Sequence, residues 1–287
     1  MGDWEYTVNS LVPEGERLPN GHARYGAVIS YDGSGFHGFQ RQKHSVSVQE
    51  ELEGALSYVA GSDIKVSPAG RTDSGVHACY QVVHFDSPVS RSASNWIRGA
   101  NTRLPETVSL TWAKEMPCEF HARFAALSRT YRYIISRTET RPSILPKGLA
   151  WVRYHIDVEA MALGCRYLLG ERDFSCFRGS DCQSVSPFRH VREATFYKAQ
   201  DLVIFEIKAN AFLLRMVRNI VGALLEIGRG KKKPEWIQLL LTEGDRSKSA
   251  ATASARGLYL VDVHYPNKYG LPRPKKGPFF LNENLRL

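Results

Sequence analysis

Residues Gly70 to Ala78, Gly-Arg-Thr-Asp-Ser-Gly-Val-His-Ala, put an arginine and an aspartate into one glycine-bracketed bend. A short apolar stretch, Ile64 to Val66, precedes them, and an alternating, strand-like run, Cys79 to Asp86, follows. Glycine on either side opens backbone conformations closed to other residues and lets another molecule approach closely. A carboxylate held there, with a cation two residues away, can act as a nucleophile. For a generic Asp-Ser-Gly the ordinary outcome is a plain turn, because all three residues are turn formers.

Three further stretches carry candidate chemistry. Ser128-Arg129-Thr130-Tyr131-Arg132-Tyr133 reads as a strand on which Tyr131 and Tyr133 share one face and Arg132 takes the other. Core packing is the usual fate of such tyrosines. Downstream, the spacing predicts a helix over 211–227, capped by Asn210, whose polar exceptions Arg215, Arg218, Asn219, Gly222 and Glu226 form one narrow stripe. A buried arginine needs a partner, and Glu226 lies too far along the helix to serve either arginine. Arg218 is therefore expected to meet a carboxylate outside its own helix. Third, Tyr31 to Gln42 is a glycine-rich loop after a strand, without the Gly-x-x-x-x-Gly-Lys pattern of a nucleoside-triphosphate site.

The elements that must position these residues follow from periodicity. A strand is expected at Tyr25 to Tyr31. A helix over about 47–60 has a Ser47/Glu50 capping box and the stripe Val48, Leu52, Ala55, Leu56 and Val59. Strands at about 64–70 and 79–86, a helix at about 91–103 and a strand at about 107–115 complete a β-α-β-β-α-β unit. The second half repeats that order: a strand at 130–136, a helix at 158–169, a hairpin 191–197/202–209 turning at 198–201, helices at 211–227 and 234–241, and a strand at 258–264. The expected fold is α+β: two ferredoxin-like repeats, pseudo-twofold, with a mixed, mostly antiparallel sheet flanked by helices and an active-site cleft between the halves. The domain reading is a flexible extension at 1–21, one half at 22–124, the other at 125–268 and a surface tail at 269–287.

At 287 residues, 43% hydrophobic and 23% charged, the chain can bury one large core or two ordinary ones. A net charge of +9 suits a polyanionic partner, with arginines at 123, 129, 132, 137 and 141 and lysines at 231–233 clustered. The five cysteines are odd in number and scattered, and Cys176, Cys182 and His190 match no usual zinc spacing, so neither a disulfide framework nor a metal site is expected. The first twenty residues lack the apolar core of a secretory signal, and the most apolar region, 202–227, is interrupted by charges. A cytoplasmic protein without membrane spans is expected.

The nonapeptide closely resembles the catalytic signature of TruA-type tRNA pseudouridine synthases, usually Gly-Arg-Thr-Asp-Ala-Gly-Val-His. Further blocks match in order: Tyr31-Asp32-Gly33 with Gln40-Arg41-Gln42, Phe120 to Phe124, Tyr131, Asn210-Ala211-Phe212 with Met216 to Gly222, and Gly257 to Leu260. The similarity runs from about residue 24 to residue 281. Phe39, where tryptophan is common, and Ser74 for alanine are departures, and Phe39 is expected to alter RNA contacts. The resemblance implies a redox-neutral, cofactor-free isomerisation, in which the bond from uracil N1 to the ribose breaks and the base rejoins through C5. It implies Asp73 as nucleophile, Arg71 displacing and holding the flipped nucleotide, and Tyr131 stacking on the target base as a candidate for proton transfer. It implies Arg218 paired with Asp73, Leu258 packed against the nucleotide, and a structural His121. Stacking of that kind is worth roughly 1–3 kcal/mol, comparable with the few kcal/mol that flipping costs. The implied substrate is the anticodon arm of tRNA at positions 38 to 40, bound by a homodimer. A non-catalytic RRM-like RNA-binding module is the first rival, although the aromatic-rich RRM strand is missing. A phosphate-handling enzyme using the 32–38 loop is the second.

Overall fold

A computed structural model describes residues 17–275 and 277–281. Most of the expected extension, residues 1–16, and residues 282–287 of the tail lie outside the described residues. The fold is mixed α+β and falls into two compact units. Of the described residues, the first comprises 17–74, 78–127 and 262–275, and the second 75–77, 128–261 and 277–281.

In the first unit the order is β1 (Ala23–Tyr31), α1 (Val48–Ala60), β2 (Val66–Pro68), β3 (His77–Ser87), α2 (Ala93–Asn101) and β4 (Val108–Glu115). Strand β1 lies between β4 and β3, and β2 pairs with β3, every one of these pairs antiparallel. The α1 cap is the one read from sequence: the Ser47 hydroxyl accepts from the Glu50 N–H. Its apolar face buries Val48, Leu52 and Leu56 almost completely, worth about 1.5–3 kcal/mol for each large side chain. Glu53, on the same helix and 2% exposed, accepts from the Val66 N–H at 3.1 Å and so ties α1 to β2. Strand β2 is shorter than expected, confined to Val66–Pro68. An ion pair from the buried Arg24 closes the start of β1: its fork meets Asp86 at 2.7 and 2.8 Å, directly opposite on β3.

The second unit contains β5 (Ser128–Ser136), β6 (Ala150–Trp151), α3 (Val158–Cys165), β7 (Gly170–Asp173), β8 (Phe188–Ala199), β9 (Leu202–Ala209), α4 (Met216–Gly228), α5 (Trp236–Glu243) and the start of β10 (Leu258–His264). Here the strands order as β10-β5-β9-β8-β7; β5–β9, β8–β9 and β7–β8 are antiparallel, and β6 adds to β5 in parallel. Strands β6 and β7 have no counterpart in the periodicity, being too short to show any. The third helix ends four residues early and continues as a 3₁₀ turn, Arg166–Leu168.

The largest correction concerns α4, which starts at Met216 and not at Ala211. Asn210 does not cap it: its Oδ1 accepts from the N–H groups of His190 and Ala211. The intervening residues are held by other partners. Leu214 accepts from the Gly179 N–H at 2.8 Å and donates to the Cys182 Sγ, and Arg215 is left-handed at φ +59°. Tertiary contacts override the apolar periodicity at this end.

Candidate active site

The loop bearing Asp73 follows β2 and is pinned along its length within the first unit. The Ala69 N–H donates to Val82 O at 2.7 Å, and Gln81 Nε2 to Gly70 O at 2.6 Å. Thr72 is buried with its Oγ1 2.8 Å from the Tyr31 hydroxyl, and its carbonyl accepts from the Phe39 N–H at 3.0 Å. The Ser74 hydroxyl donates to Phe36 O at 3.3 Å, a tie that alanine could not make. Gly38 (φ +98°) packs so closely that a Cβ there would lie 2.9 Å from Thr72 O. Burial pushes the Tyr31 phenol up to about 12 against its hydrogen bonds to Thr72 and Gln81, which keeps it neutral.

The glycine-rich segment is therefore the bed on which the Asp73 loop rests. Phe39, where tryptophan is common, is fully buried, 6.3 Å from Tyr31 ring to ring, and so forms part of this bed. Thr72 points inward, while Asp73 is half-buried and Arg71 exposed. His121 takes a structural place: Nδ1 accepts from the N–H groups of Arg123 and Phe124 at 3.1 and 3.3 Å.

The remaining candidates stand in the second unit. Tyr131 is 8% exposed, with Phe212 edge-on at 5.1 Å. Tyr133, 1% exposed, donates to Ser254 O at 3.0 Å, and burial raises its phenol far above its ordinary range. Between them Arg132 faces away and meets Glu206, directly opposite on β9, at 2.7 Å. Arg129 is buried and donates to Asn210 O. These two arginines bind within the fold, whereas the sequence reading grouped them with the clustered charge that suits a polyanionic partner.

On α4, Arg218 Nε donates to Ala253 O at 2.9 Å, and Ala253 N–H returns to Arg218 O. Glu226 pairs with Arg229 and Lys231 instead. Asn219, buried, donates to Phe177 O at 2.8 Å and accepts from Thr252 Oγ1 at 2.7 Å. Gly222 leaves room for the Ala251 carbonyl, which a Cβ would strike. The polar stripe read from sequence is thus the face along which residues 246–254 run. Leu258 is 4% exposed, and the preceding Gly257 (φ +83°) accepts from the Ile134 N–H at 2.8 Å, seating Leu258 beside β5. Sequence reasoning quoted Tyr31 and Thr72 within its motifs without giving either a role, and missed Gln81; all three support the loop through contacts distant in the chain.

Among the described residues no helix is long and apolar enough to cross a membrane, and no group of three His, Cys, Asp or Glu side chains could hold a metal ion.

The sequence profile of a family described as tRNA pseudouridine synthase matches residues 27–125 and 165–266. A protein of Vibrio campbellii named tRNA pseudouridine synthase A is 50% identical over 257 residues, which cover 90% of this chain and 97% of that protein. Proteins of the same name from Actinobacillus pleuropneumoniae and Aliivibrio fischeri are each 49% identical, covering 89% and 91% of this chain and 98% and 100% of their own lengths.

Proposed function

The chain belongs to the tRNA pseudouridine synthase family, and we propose that it isomerises uridine to pseudouridine in tRNA, at positions 38, 39 and 40 of the anticodon arm. Asp73 is the nucleophile. Arg71 displaces and holds the target nucleotide, Tyr131 stacks on the base and serves in proton transfer, Arg218 pairs with Asp73, and Leu258 packs against the nucleotide. The glycosidic bond from N1 breaks, a bond from C5 to the ribose forms, and the C5 proton leaves as N1 gains one. No electrons are exchanged, so the reaction needs no redox cofactor. Family membership supports a homodimer acting in the cytoplasm, with one tRNA touching both subunits. The strand orders β4-β1-β3-β2, with two helices, and β10-β5-β9-β8, with three, support a reading of the units as ferredoxin-like repeats.

The observation that carries this reading is the setting of Asp73. Its neighbours Gly70, Thr72 and Ser74 are all tied down, while Asp73 itself stays partly open to solvent. Such a loop holds a nucleophile in one place without covering it. The test is Asp73→Ala, introduced into cells lacking the protein, with pseudouridine mapped in their tRNA. Turnover is expected to fall by several orders of magnitude while the purified variant keeps its affinity for tRNA. Unchanged pseudouridine at 38–40 would overturn the assignment.

A further inference from the structure

The second unit contains a pocket of about 410 Å³ that none of the proposed catalytic groups lines. Its walls hold three arginines, Arg178, Arg215 and Arg246, together with the hydroxyl residues Ser180, Ser247, Ser249 and Thr252, and no carboxylate. Pockets for apolar ligands are lined mainly by hydrophobic and aromatic side chains, and this one has only the methyls of Ala250 and Ala251.

Two of the guanidiniums are set in place by neutral groups. Arg178 Nη2 donates to the carbonyls of Cys182 and Ser184, both at 2.7 Å. Arg246 donates to Ala250 O at 2.9 Å, to Asn219 Oδ1 at 3.1 Å and to Thr252 Oγ1 at 3.2 Å. Two acids stand just behind the wall, each bonded to one of its serines: Asp181 accepts from Ser180, and Asp245 from the N–H and hydroxyl of Ser247. Among the described residues, none of the three arginines forms an ion pair. The Ser249 Oγ is buried without a hydrogen-bond partner.

Arg215 makes the arrangement costly unless it serves something. It holds φ +59°, a left-handed conformation in which arginine is strained and glycine is not. Its stem passes Gly179 at ordinary contact distance, 3.4 Å from where a Cβ would stand, behind the Leu214 carbonyl at 3.1 Å. A strained backbone thus carries a third cation on a wall that already has two. Like charges gathered without a carboxylate call for a polyvalent oxyanion, and guanidinium forks fit phosphate geometry.

We propose that this pocket binds a backbone phosphate of the tRNA substrate, holding the RNA without touching the reacting uridine. The proposal rests on the reading that tRNA is the substrate. A free phosphate compound offers the same chemistry, and the experiment separates the two sources.

The test uses the full chain and Arg215→Gly, a substitution that suits φ +59° and is expected to leave the melting temperature no lower. The affinity for unmodified tRNA is measured across a salt series, beside a phosphorus NMR titration with inorganic phosphate. The variant is expected to bind tRNA roughly tenfold more weakly, with a salt slope smaller by about one phosphate, and Arg215→Lys to recover part of both. Equal affinity and equal slope in wild type and variant would overturn the proposal and leave the catalytic reading intact. So would inorganic phosphate binding that is lost in the variant while tRNA affinity stays the same, which would mark a site for a free phosphate compound. Wild-type protein that fails to bind tRNA would overturn both readings.

Discussion

Gly38 occupies a backbone conformation at φ +98° with the Thr72 carbonyl pressed against the place a side chain would fill. No L-residue satisfies both conditions, so Gly38→Ala must displace either its own segment or the Asp73 loop above it. The substitution should destabilise the protein by about 1–3 kcal/mol in urea unfolding. Turnover should fall further than stability does, with tRNA affinity retained, because Asp73 moves while the RNA contacts remain. Wild-type turnover in that variant would show that the loop is positioned from elsewhere. Tyr31 supports the same loop from below through its hydroxyl. A neutral phenol is the right group there, since it can share a hydrogen bond with Thr72 without adding charge beside the proposed nucleophile.

At the scale of elements, β3 and the turn at 120–124 are joined through His84. Its Nδ1 accepts from the Ala122 N–H at 3.3 Å, and its ring lies 4.4 Å from that of His121. Burial, then His121 and Arg24, hold its pKa well below the ordinary 6.5, against a backbone hydrogen bond at Ser67. The folded protein therefore keeps His84 neutral, whereas the unfolded chain takes up a proton near pH 6.5. Stability is complete above that pH and declines as pH falls below it toward the folded pKa. The melting temperature should drop between pH 7 and pH 5, and His84→Gln should flatten that part of the curve. A wild-type profile with no decline in this window would contradict the assignment of a neutral, buried ring.

At the scale of the whole molecule, the charge of +9 is divided between structural and available cations. Arg24 and Arg132 are committed to Asp86 and Glu206, so the excess that can meet phosphate lies elsewhere, including Lys232, Lys233 and the arginine-lined pocket. Binding to tRNA should weaken linearly in logarithmic salt with a slope of magnitude above about 3, reporting several phosphates. A slope near zero would mean that the basic clusters are merely solvated.

Short-range chemistry in the chain was enough for much of this. The Ser47 cap, the apolar stripe of α1, the bounds of β10 and the alternation of Tyr131, Arg132 and Tyr133 are all properties of neighbouring residues, and the glycine-bracketed nonapeptide identified its own candidate aspartate. Long-range pairing decided the rest. Periodicity could not place the start of α4, because Gly179 and Cys182 engage Leu214 from far upstream. Nor could it show that Phe39 is buried under the Asp73 loop, that Arg132 belongs to Glu206, or that three scattered arginines line one pocket. A residue's local spacing fixes which face it occupies; only folding decides what stands opposite that face.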